Sequence, residues 1–176
     1  MRIEVLRIGQ RLVRDDRVTT HVALISRAFG ASKILMYDAN PEIKDTLSKV
    51  NRTWGGDFEV EIIDNWRRML RSKKSESYRI VHLTMYGESI NDVEEKIRKE
   101  DKILAVIGAE KVPREVYDMA DYNVAIGSQP HSEIAALAVL LDRLFEGRQF
   151  QKKFKRAQRE IIPTGKGKRV MDKSTA

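Results

Sequence analysis

The sequence predicts an α/β fold in which a mostly parallel sheet carries helices on both faces. Short runs of β-branched residues alternate about six times with segments of helical periodicity along the 176 residues. This alternation is typical of consecutive βαβ units. Hydrophobic residues make up 41% of the chain, which is enough for a sizeable core in a domain of this length. We therefore expect ligands to bind at the carboxyl ends of the strands.

The predicted strands are six short runs of residues that favour extended backbone. They lie at 3–8, 33–37, 58–63, 78–83, 103–107 and 122–126. Each run has the usual length of a strand in a globular protein. Because helical segments separate most of them, we expect them to pair in parallel rather than as hairpins.

Helices are predicted over 22–29, 41–50, 65–71, 90–98 and 134–145. Pro41 fits the first turn of the second helix, where the missing backbone N–H has no partner to lose. The last helix has the clearest pattern, because its apolar residues recur at three- and four-residue intervals from Ile134 to Phe145. Gly147 follows it, where a helix-terminating glycine is expected.

The basic excess is concentrated at the C-terminal end. The chain has 33 Lys and Arg against 26 Asp and Glu, a net charge of +7. From Arg148 to Ala176 there are ten basic and two acidic residues, so this segment carries +8 and residues 1–147 carry −1. We expect residues 1–147 to form the folded domain and residues 148–176 to form a basic extension that binds a polyanion. Residues 164–176 are expected to be mobile.

Several classes of protein are disfavoured by what the chain lacks. It has no Cys, so disulfides, thiolate nucleophiles and cysteine-based metal sites are excluded. Its three His (His21, His82 and His131) are far apart, and we expect no metal site. No apolar run has the length of a membrane helix, and the N-terminus lacks a signal-peptide pattern. We expect a cytoplasmic protein without membrane contact.

No glycine motif for binding phosphates lies between a strand and a helix. Neither G-x-G-x-x-G nor G-x-x-x-x-G-K-[ST] occurs, and Gly165 and Gly167 belong to the basic extension. A standard dinucleotide site and a P-loop are therefore disfavoured.

Three other turns after predicted strands could carry a site. The first, 11–21, places Arg11, Arg14 and Arg17 beside Thr19 and Thr20, an arrangement that suits a phosphate at a helix start. The same residues are equally consistent with a solvated loop in which one of the threonines caps the helix.

The second and third turns follow two late strands. Gly108–Pro113 could let a ligand approach the backbone, or could be a plain turn that needs glycine. In 126–133, capping accounts for Ser128 or Ser132 and for Glu133. It does not account for Gln129, Pro130 and His131.

Taken together, three motifs carry a resemblance to a known family. They are RLVRDDRVTTHVALISRAFGA at 11–31, VIGAEKVPREVYDMADYNVAIG at 106–127 and QPHSEIAALAVLLDRL at 129–144. The chain resembles the SPOUT class of RNA methyltransferases and, within it, the archaeal tRNA (cytidine-56) 2′-O-methyltransferases. The resemblance covers nearly all of the chain outside the basic extension.

The resemblance implies features that periodicity cannot give. It implies a SPOUT fold whose C-terminal part, about 78–147, is tied into a trefoil knot, and it implies a homodimer. It also implies that S-adenosylmethionine (AdoMet) is held by three segments. These are Leu83, the turn Gly108, Ala109, Glu110, Lys111 and Val112, and the turn Ile126, Gly127, Ser128, Gln129, Pro130, His131, Ser132 and Glu133.

The implied reaction is methyl transfer to the ribose 2′-hydroxyl of a tRNA nucleotide, cytidine 56 in the T-loop. Related enzymes are thought to place an arginine of the first motif, from the opposite subunit, near this hydroxyl. Arg17 is the first candidate for this catalytic role and Arg14 the second. Other interpretations are a non-catalytic RNA-binding protein, a SPOUT enzyme that methylates another RNA site, and an enzyme that uses a different adenosine cofactor.

Overall fold

Six parallel strands form one sheet in the computed structural model, which describes residues 1–9 and 15–173. The strand order is β3-β2-β1-β5-β4-β6. The strands are β1 (Arg2–Ile8), β2 (Lys33–Tyr37), β3 (Glu59–Ile63), β4 (Arg79–Ser89), β5 (Lys102–Gly108) and β6 (Tyr122–Ala125). The helices are α1 (Asp15–Ala28), α2 (Ile43–Trp54), α3 (Trp66–Ser75), α4 (Ile90–Ile97), α5 (Arg114–Met119) and α6 (Glu133–Phe145). The predicted α/β class is therefore confirmed.

Helices cover both faces of the sheet, as predicted. Ile3 and Val5 of β1 belong to a core that also holds apolar residues of α1, α2, α4 and α6. On the opposite face, Leu6 and Ile8 pack in a second core with residues of α3 and α5. The alternation along β1 follows from the two-residue repeat of a strand. Burial on both faces explains why β2 and β5 appear in the sequence as nearly continuous apolar runs.

Several helix boundaries differ from the predicted ones. The first helix already includes Asp15, although it was predicted from residue 22, and the second continues to Trp54 instead of ending near residue 50. The second helix begins at Ile43 and not at Pro41, which lies in the preceding turn. The third helix continues to Ser75 instead of ending near residue 71. The reason is Lys73, which is buried and lies 2.9 Å from the carboxylate of Glu4 on β1. Because Lys73 faces the core but is not apolar, the apolar pattern used to predict the helix ends before it.

Strand β4 is much longer than predicted and meets β6 in two stretches. Leu83 and Glu88 both lie opposite Val124 in the strand pairing, so the chain between them bulges around β6. Gly87 is packed so closely that a Cβ on it would lie 2.4 Å from the carbonyl carbon and oxygen of Asn123. The predicted trefoil knot in residues 78–147 stays a prediction.

The basic extension contains regular structure that the sequence does not predict. A 3-10 helix (Arg148–Gln151) leads to strands β7 (Arg159–Ile161) and β8 (Val170–Asp172), which form an antiparallel hairpin. The segment between the 3-10 helix and β7 packs on the end of α2. There the backbone N–H of Gly56 donates to the carbonyl of Lys155 at 2.8 Å. The Arg27 guanidinium lies 4.4 Å from the centre of the Phe154 ring. The domain boundary after residue 147 and the mobility of residues 164–176 stay predictions.

No helix within residues 1–9 and 15–173 is long and apolar enough to cross a membrane. In the same residues, no three His, Cys, Asp or Glu side chains gather in a way that could hold a metal ion.

The contact at Gly87 predicts a stability loss for Gly87→Ala. The new methyl group would overlap the backbone of β6, which cannot move as a flexible side chain could. We expect the melting temperature to fall by roughly 3–10 °C, as for an overpacked core position. Gly165→Ala is the matched control, because a Cβ there meets nothing within 4 Å. Equal melting temperatures for both variants, measured by circular dichroism, would contradict the close packing of β4 on β6.

Candidate functional site

A cavity of about 940 Å³ lies at the carboxyl ends of β4, β5 and β6. It is bounded by the bulge of β4, the turn after β5 and the turn that leads from β6 into α6. Val18 of α1 closes one side. The volume is within the range of small-molecule sites, and the position is the one expected for ligands in open parallel sheets.

The structure brings ten of the predicted cofactor-binding residues into the lining of this one cavity. They are Leu83, Gly108, Ala109, Glu110, Lys111, Val112, Ile126, His131, Ser132 and Glu133. The other four, Gly127, Ser128, Gln129 and Pro130, are exposed and do not contribute to the lining. The three segments are distant in sequence, and the order of the strands places them side by side.

The turn after β5 requires glycine at its first position. A Cβ on Gly108 would lie 2.4 Å from Cγ1 of Val112 and 2.8 Å from the carbonyl oxygen of Glu110. The turn therefore folds back on itself, and all of residues 108–112 line the cavity. The backbone N–H of Ala109 donates to the carbonyl of Ile8 at 3.0 Å, which ties the turn to β1.

The turn after β6 ends in a capped helix. Ser132 is the N-cap of α6, and its hydroxyl accepts a hydrogen bond from the backbone N–H of Ile134 at 3.1 Å. The interpretation of this serine as a cap is confirmed. The same residue lines the cavity, so capping and lining are compatible. His131 is exposed at the rim, with Nδ1 3.3 Å from the carbonyl oxygen of Ser132.

Arg7 is a buried residue that the sequence argument missed. Its side chain extends from β1 and is 1% exposed. Nε donates to Oε1 of Glu133 at 2.9 Å, and a terminal nitrogen donates to Oγ1 of Thr19 at 2.9 Å. One guanidinium thus joins β1, α1 and the first turn of α6. The available signal was a charged residue between the apolar residues Leu6 and Ile8 of a predicted strand, since buried charges are rarely found without partners.

Polar side chains beneath the bulge of β4 form a hydrogen-bonded cluster. His82 is buried, and its Nδ1 lies 2.8 Å from Oδ1 of Asn123, whose amide nitrogen donates to the carbonyl of Tyr117. That second bond orients Asn123, so Nδ1 of His82 carries the proton and donates. Burial lowers the pKa of His82, and the hydrogen bond to Asn123 only partly opposes this. The ring is therefore neutral near pH 7. Oγ1 of Thr84 lies 2.9 Å from the Tyr117 hydroxyl.

The structure does not bring Arg17, the first candidate for the catalytic role, into the cavity. Arg17 is exposed on the first described turn of α1, and the cavity lining includes its neighbour Val18 but not Arg17 itself. Arg14, the second candidate, lies outside the described residues. The helix already includes Asp15, so Thr19 and Thr20 are helical positions. The alternative that one of them is the N-cap was wrong.

Three comparisons identify what the chain is similar to. A profile described as tRNA ribose 2′-O-methyltransferase, aTrm56, matches residues 54–171. The tRNA (cytidine(56)-2′-O)-methyltransferase of Nitrosopumilus maritimus is 66% identical over 175 residues, which cover 99% of each chain. The protein of the same name from Cenarchaeum symbiosum is 63% identical and covers 98% of each chain.

A solved structure agrees with the fold. The TrmH/SpoU tRNA modifying enzyme of A. aeolicus superposes with a TM-score of 0.63 at 18% identity, covering 86% of this chain and 79% of that one. This likeness shows that the predicted SPOUT fold is correct. The profile match over about two thirds of the chain and the two relatives of nearly full coverage show the family in addition to the fold. This chain belongs to the family of tRNA (cytidine(56)-2′-O)-methyltransferases.

Proposed function

We propose that this protein transfers a methyl group from AdoMet to the ribose 2′-hydroxyl of cytidine 56 in tRNA. The observation that carries this proposal is the closure of three separate turns around one cavity, in a chain that belongs to the family with that activity. The protein would act in the cytoplasm, where its tRNA substrate is found.

The cavity suits AdoMet in size and in chemistry. Leu83, Val112 and Ile126 supply apolar walls, while the turn 109–111 supplies backbone groups and Ser132 a hydroxyl. Such a mixture of apolar walls and few polar groups is usual for cofactor sites. The tight turn at Gly108 has no room for a side chain, because Val112 and Glu110 already occupy the space beside its Cα. AdoMet supplies an activated methyl group on a sulfonium. Because AdoMet has no pyrophosphate, its site does not need a glycine fingerprint.

The protein's own task is to align the ribose hydroxyl and to assist the loss of its proton. Alignment in a well-ordered site is worth about 7–11 kcal/mol of the barrier. Arg17 is proposed to stabilise the negative charge that develops on the ribose oxygen and to hold the adjacent phosphate. Since a guanidinium stays protonated, the proton passes to another group, either His21 or a phosphate oxygen of the substrate.

The position of Arg17 supports a homodimer. The residue is exposed at the start of α1 and does not line the cavity of its own chain. We propose that each cavity is completed by Arg17 of a second copy. Closed two-fold dimers are the most common arrangement among soluble oligomers.

The decisive experiment is incubation of unmodified tRNA with labelled AdoMet, followed by mapping of the label. We expect one methyl group per tRNA on the 2′-oxygen of cytidine 56. A methyl group on a base, or at another nucleotide, would contradict the proposed reaction. RNA binding without AdoMet binding would indicate a non-catalytic RNA-binding protein. AdoMet binding is measured separately by calorimetry, and its absence would point to another cofactor.

Arg17 delivered from the second copy predicts complementation between two inactive variants. In Arg17→Ala the cavity is intact, and in Gly108→Val the turn is blocked while Arg17 is intact. A heterodimer isolated with two affinity tags has one complete site, and we expect about half of the wild-type rate. Each homodimer should be inactive, although Arg17→Ala should still bind AdoMet. An inactive heterodimer would assign Arg17 to its own cavity, and isolated monomers would refute the dimer.

The basic extension is proposed to bind tRNA through the loop of its hairpin. Both acids of the extension are already paired, Asp172 with Arg159 at 2.8 Å and Glu160 with Lys173 at 2.6 Å. The loop between β7 and β8 carries Lys166, Lys168 and Arg169, and all three are exposed. A cluster of cations on a loop is suited to phosphate contacts.

Replacing Lys166, Lys168 and Arg169 together with Ala tests this surface. If all three bind phosphates, the slope of log K for tRNA against log salt becomes shallower by about 3. The control variant replaces the exposed Arg68, Arg71 and Lys74 of α3, which removes the same charge from the other face of the sheet. An unchanged slope in the loop variant, or an equal change in the control, would place the tRNA surface elsewhere.

A further inference from the structure

Tyr86 presents an exposed aromatic ring at the mouth of the cavity. The residue is 81% exposed although it lines the cavity together with Lys111 and Arg114. None of the sequence motifs includes it, and the methyl transfer described above does not use it. An aromatic ring in this position raises the question of what covers it during the reaction.

The segment that carries the Tyr86 ring is held in place by contacts with α5 and β6. The backbone N–H of Tyr86 lies 3.4 Å from Oγ1 of Thr84, which in turn contacts the Tyr117 hydroxyl at 2.9 Å. On the other side, Gly87 lies against the backbone of β6. The ring is therefore presented on a braced bulge and not on an open loop, so that little ordering is needed when a partner binds.

The charges around the ring favour a nucleotide as that partner. Lys111 is exposed, and the Arg114 side chain is 91% exposed, with the nearest carboxylate oxygen of Asp118 at 3.9 Å from its Nε. RNA-binding surfaces combine aromatic rings, on which unpaired bases stack, with cations that contact phosphates. A second copy of the chain fits less well, because lysine is depleted in the cores of protein interfaces.

We propose that Tyr86 is the stacking platform for the base of the nucleotide that is methylated, with Lys111 and Arg114 on the adjacent phosphates. This inference rests on the proposed function, since the ribose must reach the cavity for its base to lie at the mouth. It assigns to the bulge of β4 a role in positioning the target nucleotide. The base has to leave its stack in the tRNA before it can reach Tyr86.

Substitutions of Tyr86 separate stacking from folding and from cofactor binding. For Tyr86→Ala we expect kcat/KM for tRNA to fall between about 5-fold and about 150-fold, which is the usual range for loss of one aromatic stack. Tyr86→Phe keeps the ring and should stay within about twofold of wild type. AdoMet affinity should be unchanged in both.

A tRNA with an abasic site at the target nucleotide identifies the partner of the ring. With this RNA, Tyr86→Ala should differ from wild type by less than about twofold, because the stacking partner is already absent. Full additivity of the two changes would overturn the inference. A changed oligomeric state of Tyr86→Ala in sedimentation would also overturn it, by assigning the ring to a second copy. If wild-type enzyme transfers no methyl group, the proposed function itself fails, whereas an active wild type with an unaffected Tyr86→Ala refutes only this inference.

Discussion

The buried guanidinium of Arg7 is the interaction on which the site depends. It lies on β1 in the centre of the sheet and reaches Thr19 of α1 and Glu133 of α6. One turn of the cavity and the helix of the first motif are thereby held to the same strand. Removing one partner of a buried ion pair costs about 3–5 kcal/mol, because the other charge stays behind without compensation. The geometry of the site is thus coupled to the stability of the core.

A second constraint is the close approach of β4 and β6. Gly87 allows the bulge of β4 to lie on the backbone of β6, and the cluster of His82, Asn123 and Tyr117 fills the space beneath it. His82 can be neutral there because burial lowers its pKa. The bulge then forms one wall of the cavity and carries Tyr86 at its mouth. Backbone packing and a polar cluster together shape the entrance through which a ribose must pass.

The cavity and the basic extension lie at opposite ends of the strands. The cavity is at the carboxyl ends of the strands, whereas the extension packs on Phe29 and Gly56, which precede β2 and β3. A tRNA that contacts both surfaces must therefore span the sheet, or reach the extension of a second copy. The cations of the extension therefore lie away from the cavity, whose own lining contains Lys111 and Arg114.

The sequence by itself determined the α/β class, the six strands of the sheet and the turns that line the cavity. These features are local, because strand and helix periodicity and turn residues report burial and backbone conformation within a few positions. Only the tertiary structure decided that Arg7 meets Glu133, 126 residues away, that β4 continues around β6, and that the extension folds onto α2. Such contacts depend on the path of the chain in space, and no short segment encodes them.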